Sequence, residues 1–364
     1  MKDSTTLSAA VAAALQPYAE RGELAGAVTL VADADGVCSL DTVGTADFAG
    51  GRAMTPDTLF WIASQTKPIT AAAVMMLVDE GKLDVDAPVA QYLPEFAGQM
   101  VVVEQDDEHC LLRKPRHPIT VANVLSHTSG LAFASLTEHP TLHGLPLPQA
   151  VRSYAMMPLV FEPDTQYLYS NCGINTAARI LEVLTEQPYE EFLQERLLDP
   201  LGMVDTTFWP TAEQVQRLAT AYRPGPDGTG FDVYQIVQLT YPLEQRVGRY
   251  PMPAGGLFST AADCARFCRM VLRRGELDGR RYLSEAAVAE MTRRWTAPEI
   301  ENSYGLGWQV GDGWAGHGGA LASHMRVLWS LGAVQVYLVQ HAGFAGDGAQ
   351  AGEAFSQAVR GALA

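Results

Sequence analysis

The chain has 364 residues, 48% of them hydrophobic and 18% charged, and its 41 acidic against 25 basic side chains give a formal net charge of −16. These are the proportions of a globular protein with a sizeable core. The anionic excess argues against nucleic acid and anionic lipid surfaces as partners and leaves a small molecule or peptide.

No run approaches the roughly 18 apolar residues that span a bilayer. Near the N-terminus a small-residue apolar stretch has Asp3 where a basic lead would stand and shows no cleavage pattern, so it reads as a surface helix burying Leu7, Val11 and Leu15, not as an export signal. The expected compartment is therefore the cytoplasm. Five cysteines, odd in number and irregular in spacing, give no disulfide framework. Cys264 and Cys268 have no third ligand near them in sequence, and neither a metal nor a cofactor is expected.

Apolar runs at 25–32 and 37–43, parted by Asp33-Ala34-Asp35-Gly36, predict a hairpin. A helix is expected from Ser64 to about Glu80, with Ile69, Ala72, Ala73, Met76 and Leu77 along one face and Gly81 as its stop. Residues 100–112 predict a second hairpin, turning at Asp106-Asp107. Helical patterns fill 121–125, 172–186 and 189–198, the last stopped by Asp199-Pro200-Leu201-Gly202. Residues 224–256 are rich in Gly and Pro and carry no regular pattern. A helix over 260–274, capped by Ser259 or Thr260, precedes strand-like runs at 305–310, 322–330 and 333–340 and a closing helix from about Gln350.

Strands thus gather at both ends of the chain and helices in its middle. The expectation is an α+β protein, an antiparallel sheet built from both ends and flanked by helices, with a mostly helical lobe inserted. Without repeats or low-complexity linkers, residues 1–364 read as a single unit. Its α/β lobe spans about 1–75 and 256–364, and its helical lobe about 76–255.

Three segments carry chemistry. In Phe60-Trp61-Ile62-Ala63-Ser64-Gln65-Thr66-Lys67, Ser64 and Lys67 share a helix face, and a serine in the first turn gains from the positive end of the helix dipole. A hydroxyl needs a base to become a nucleophile, and a lysine whose pKa is lowered by burial can serve. The chain holds only four lysines (2, 67, 82 and 114) against 21 arginines, so a lysine among apolar helix residues invites a chemical reason; a solvent-facing helix lysine is the bland alternative. Tyr169-Ser170-Asn171 offers a phenol whose pKa a lysine ammonium would depress and an amide that both donates and accepts, against the plain reading of a helix cap. Trp314-Ala315-Gly316-His317-Gly318-Gly319-Ala320 leads into a strand, and its edge offers the Ala320 N–H to an oxyanion beside the Ser64 N–H; an ordinary turn is the alternative. His341-Ala342-Gly343 repeats the His-x-Gly pattern but follows a strand.

Taken in order, Ser64-x-x-Lys67, Tyr169-x-Asn171 and His317-Gly318-Gly319 resemble the three motifs of the serine β-lactamase and penicillin-binding-protein superfamily. The tyrosine-led second motif is similar to the class C branch and to family VIII carboxylesterases. Leu125-Ser126-His127-Thr128-Ser129-Gly130-Leu131, Asp199-Pro200-Leu201-Gly202-Met203 and Ala254-Gly255-Gly256-Leu257-Phe258-Ser259-Thr260 add to the likeness, which runs from about residue 20 to the end. The resemblance implies Ser64 as nucleophile, Lys67 and Tyr169 as its base pair, and Asn171, His317, Gly318, Gly319 and Ala320 at the substrate. His317 stands where class C enzymes carry a lysine, which favours esters or amides lacking an obligatory carboxylate over β-lactams. Water as acceptor gives an ester or amide hydrolase of a small molecule. An amine or alcohol acceptor gives a transacylase. A D-amino-acid peptidase, a weak β-lactamase and a catalytically silent binding homologue complete the alternatives.

Elsewhere, His127 reads as structural, and His109, His117, His139 and His143 lack metal-ligand spacing. Phe133, Tyr154, Tyr241, Arg249 and Tyr250, with the hairpin at 100–112 and the segment 225–252, are candidates for the pocket rim or for ordinary packing.

Overall fold

The computed structural model describes residues 4–138, 141–236, 239, 242–243, 246 and 248–364. Helix α1 (Ser4–Glu20) leads into strands β1 (Gly26–Asp33), β2 (Val37–Asp47), β3 (Arg52–Ala53) and β4 (Phe60–Trp61), and then into helix α2 (Thr66–Asp79). The middle of the chain forms the hairpin β5 (Val101–Gln105) and β6 (Cys110–Arg113), followed by helices α3 (Val121–Ser126), α4 (Leu147–Ala155) and α5 (Asn171–Thr185). The last part carries β7 (Phe258–Ser259), α6 (Ala261–Leu272), α7 (Glu285–Thr292), β8 (Gln309–Gly311), β9 (Trp314–Gly318), β10 (His324–Leu328), β11 (Ala333–Leu338) and α8 (Ala351–Leu363).

The main sheet has the order β8-β9-β10-β11-β1-β2-β3, and its neighbours pair antiparallel. Its two halves come from opposite ends of the chain and meet where β1 pairs with β11, from Val28 opposite Leu338 to Asp33 opposite Ala333. The expected α+β architecture is therefore the observed one. Residues 26–32 of β1 are buried without alternation, because helices cover both faces of the sheet. On one face Ala27 and Val31 meet α1 and α8 through Leu7, Val11, Leu15, Phe355 and Val359. Each such fully buried side chain contributes about 2 kcal/mol. On the other face Val28, Leu30 and Ala32 join the large core that holds α2, α5 and α6.

Helix α2 departs from the one-sided pattern expected of it. Thr66 through Leu77 are all buried, as in a helix enclosed on every side. Its polar groups are satisfied locally: Thr66 Oγ1 donates to the Ala63 carbonyl (2.7 Å) and Thr70 Oγ1 to that of Pro253 (2.7 Å). Residues 314–318, read as the approach to a strand, are themselves β9, and of 305–310 only the end joins β8. The helix from Tyr189 passes through a wide turn at Gln194–Leu198 and continues over Asp199–Leu201, ending at Gly202 with φ 69°. Pro200 lacks a donor, so it stands in the first turn of the final helical piece without breaking the run. His139 and Tyr241 lie outside the described residues.

Candidate active site

Strand β4 pairs with β7, Phe60 opposite Ser259 and Trp61 opposite Phe258, and the Ile62 N–H donates to the Leu257 carbonyl (3.0 Å). Ala63 then takes a φ of 46°, a conformation unusual for a residue with a Cβ. This bend starts the short helical turn Ala63–Gln65, which sets Ser64 at the head of α2. The opposite wall is the stretch 253–257. Trp61 Nε1 donates to the Gly255 carbonyl (2.8 Å), and the Leu257 N–H donates to Thr66 Oγ1 (3.2 Å).

One turn along α2, Lys67 is fully buried. Its Nζ lies 3.1 Å from Ser64 Oγ, 2.9 Å from Asn171 Oδ1 and 2.6 Å from the Ala254 carbonyl oxygen. Burial drives its pKa well below the ordinary lysine value, and among the described residues no carboxylate stands beside it to repay the lost hydration.

Asn171 opens α5, and Tyr169 stands just before its cap. Ser170 caps that helix, its Oγ accepting from the Gly173 N–H (3.0 Å). A Cβ at Gly173 would lie 2.5 Å from the Val124 carbonyl oxygen, so glycine lets α5 press directly on α3. The Tyr169 phenol faces the Ser64 hydroxyl, and Lys67 Nζ stands 4.5 Å from the centre of its ring. The expectation that lysine depresses this phenol's pKa is overturned. Desolvation raises it above the ordinary value, the neighbouring Ser64 hydroxyl opposes, and Tyr167 adds to the rise. Lys67, itself pushed toward the neutral form, does not offset this burial of the phenol.

A cage of rings stands behind Tyr169. The His317 imidazole is only 3% exposed and turned inward. Its Nδ1 donates to the Gly318 carbonyl (2.6 Å), which leaves Nε2 to accept from the Tyr304 hydroxyl (2.8 Å). Burial first, and then Lys67, lower its pKa to about 3 against the opposing Gly318 bond, so it is neutral. His127, at φ 63°, accepts the Ser170 N–H on Nδ1 (3.2 Å) and packs 4.6 Å from the Tyr169 ring. Burial again holds it far below the usual histidine pKa. His341 joins the β1 end, its Nε2 accepting from the Ala25 N–H (3.0 Å), and takes no part in this cage.

Beyond β9 the chain turns at Gly319, whose N–H donates to the Ser323 carbonyl (2.7 Å) and whose own carbonyl accepts from the Ala322 N–H (3.1 Å). Ala320 is exposed at this turn. Gly319 touches the start of the turn that carries Ser64, since a Cβ there would meet the Ile62 carbonyl oxygen at 2.7 Å. Ser64, Asn171 and Ala320 consequently share one cleft of about 50 Å³, walled by Trp61, Phe133, Leu142 and Met252.

Of the candidate rim residues, Phe133 and the segment 225–252, through Met252, reach this cleft, whereas the hairpin at 100–112 contributes nothing to its lining. Tyr154 is buried behind it, and Arg249 is buried with Nη2 donating to the Phe208 carbonyl (3.2 Å). A larger hollow of about 330 Å³, between Phe96, Gln99, Lys114 and Leu159, contains none of the candidate residues. Sequence reasoning overlooked Tyr304 and the Ala254 carbonyl. The tyrosine lay in no recognised pattern, and a backbone oxygen leaves no mark in a sequence.

The family model described as Beta-lactamase matches residues 11–358. Protein Rv1367c of Mycobacterium tuberculosis is 35% identical over 311 residues, covering 83% of this chain and 76% of that one. Esterase EstB of Burkholderia gladioli is 28% identical over 336 residues, covering 85% and 80%. Among solved structures, EstCE1, a hydrolase with promiscuous acyltransferase activity, superposes with a TM-score of 0.80 at 23% identity over 98% of this chain and 99% of its own.

Proposed function

Because the chain belongs to the beta-lactamase family and is a serine acyl-transfer enzyme of that type, we propose that it acts through an acyl-Ser64 intermediate, most directly in hydrolysing a carboxylic ester or amide of a small molecule. The observation that carries this reading is the set of three contacts around Lys67 Nζ. A neutral amine has two N–H donors and one lone pair. Asn171 Oδ1 and the Ala254 carbonyl only accept, so they take the two hydrogens, and the lone pair is left for the Ser64 hydroxyl.

In this mechanism the Ser64 proton passes to Lys67 as Oγ bonds to the substrate carbonyl carbon. The Ser64 and Ala320 N–H groups receive the oxyanion. Tyr169, a neutral phenol, gives its proton to the leaving group as the carbonyl re-forms, and the proton held on Lys67 restores it. Water then attacks the acyl carbonyl and gives its proton to Lys67, which returns it to Ser64 Oγ as the C–Oγ bond breaks and the acid leaves. A neutral His317 supplies no cation for a substrate carboxylate, which supports uncharged esters and amides over β-lactams.

The test is Ser64→Ala with a short-chain ester and a fluorophosphonate probe. Turnover and covalent labelling should both vanish, and a variant that still labels would overturn the assignment. The apolar cleft walls Trp61, Phe133, Leu142 and Met252 favour a second reading, in which an amine or alcohol takes the acyl group in place of water. Product ratios with added amines distinguish the two.

A further inference from the structure

Behind Lys67 a line of hydrogen bonds runs in one direction to a buried carboxylate. Lys67 Nζ donates to the Ala254 carbonyl (2.6 Å), and the Ala254 N–H donates to Asn175 Oδ1 (3.1 Å). Asn175 Nδ2 donates to Tyr154 Oη (3.0 Å), and Tyr154 Oη donates to Glu138 Oε1 (2.6 Å). The second carboxyl oxygen, Oε2, accepts from the Ser135 N–H (2.8 Å). Glu138, Tyr154 and Asn175 are all buried.

The direction of the line is set by its ends. Glu138 accepts on both oxygens, as an ionised carboxylate does, so the Tyr154 hydroxyl must donate to it and must accept from Asn175. The Asn175 amide is thereby held with its oxygen toward the Ala254 N–H. Every dipole along the line presents its negative end toward Lys67, and the carboxylate charge has the same sign. In a poorly solvated interior such oriented groups act over longer distances than in water. The other titratable groups facing Lys67 are Tyr169, His127 and His317, and Cys172 faces Tyr154. Burial keeps all of these uncharged.

We propose that Glu138 is a positioning residue for the reaction: through Tyr154 and Asn175 it fixes the Ala254 carbonyl against Lys67 and sets how firmly Lys67 holds the proton taken from Ser64. This rests on reading Lys67 as the base. The proton moves from Ser64 Oγ to Lys67 Nζ, and the resulting ammonium is held by the Ala254 carbonyl and Asn171 Oδ1. Without the carboxylate, Lys67 becomes a weaker base that loses its proton more readily.

The experiment compares kcat/KM against pH for the wild type, Glu138→Gln, Tyr154→Phe and the double variant, with melting temperatures alongside. A glutamine cannot accept on both of its polar atoms, so at least one bond in the line is lost. The acid limb should move to lower pH by about half a unit to one unit in each single variant. The plateau should fall by about tenfold, and the double variant should move no further than the larger single one. Folded single variants whose acid limbs match the wild type would reduce Glu138 to a packing residue and overturn the proposal. Should Glu138→Gln fail to fold, Tyr154→Phe decides by the same criterion. The parent reading fails separately, if Lys67→Ala keeps its turnover; an inactive Lys67→Ala beside unshifted Glu138 and Tyr154 variants sinks only the positioning role.

Discussion

Gly318 and Gly319 stand side by side at the end of β9, yet the same substitution should affect them in opposite ways. A methyl group at Gly319 meets the Ile62 carbonyl oxygen at 2.7 Å and Gln65 Nε2 at 3.3 Å, whereas at Gly318 the nearest atom is the Ser323 carbonyl oxygen at 3.6 Å. Ordinary contact begins at 3.4 Å, so Gly319→Ala must open the strand end from the turn that carries Ser64 by roughly 0.7 Å in a close-packed region. Ile62 cannot retreat easily, because its own N–H is bonded to Leu257. The displacement therefore falls on the turn that carries the Ala320 N–H. A misplacement near 1 Å costs up to ~100-fold in rate, and loss of one oxyanion donor costs ~100-fold or more. Gly319→Ala should accordingly lower kcat/KM on a nitrophenyl ester by about tenfold to a hundredfold, while Gly318→Ala stays within about twofold. Initial rates read alongside melting temperature separate catalysis from folding. Equal activities in the two variants, or a loss in Gly319→Ala that merely tracks unfolding, would refute the reasoning.

Acid should destabilise the fold through its buried imidazoles. His317 and His324 are pushed down to about 3 and His341 to about 4, and His127 is lowered as well, all chiefly by burial. In the unfolded chain these groups titrate near ~6.5. As pH falls below that value the unfolded state takes up protons that the folded state refuses, so stability is full above about 6.5 and is lost progressively toward about 3. Melting temperatures from pH 7.5 to 4 should fall accordingly, and a flat profile down to pH 4.5 would contradict the assignment. At the contact of α5 with α3, Gly173→Ala should cost about 1–3 kcal/mol in urea titrations. It should also lower turnover by tilting Tyr169 and Asn171, and a variant of wild-type stability would show that the two helices separate freely.

How much was legible depended on how local the cause was. The hairpin of β1 and β2 was readable because a polar four-residue turn parts two apolar runs. The pairing of Ser64 with Lys67 was readable because a helix repeats every 3.6 residues and lysine is scarce in this chain. Helix α4 was missed although Leu147, Ala150, Val151 and Tyr154 repeat at helical spacing, since prolines at 146 and 148 disguise its start. Strand β9 was missed because its glycines read as a turn; Gly316 is needed there because a Cβ would lie 2.4 Å from the Met325 carbonyl oxygen on the neighbouring strand. The inward direction of His317 and the elevated phenol of Tyr169 were beyond reach. The first follows from Tyr304, thirteen positions away, and the second chiefly from burial beside residues such as Lys67, about a hundred positions away.

The pairing of β1 with β11 joins stretches about 310 positions apart. Serine, lysine and phenol are all synthesised long before residue 320 emerges, yet the amide that would cradle a developing anion waits for the far end of the polypeptide. On the proposed mechanism, a half-made chain would thus carry the attacking hydroxyl without the amide that is to receive the anion. In refolding, catalytic competence should trail the recovery of helix content, appearing only when the two remote sheet halves zip together.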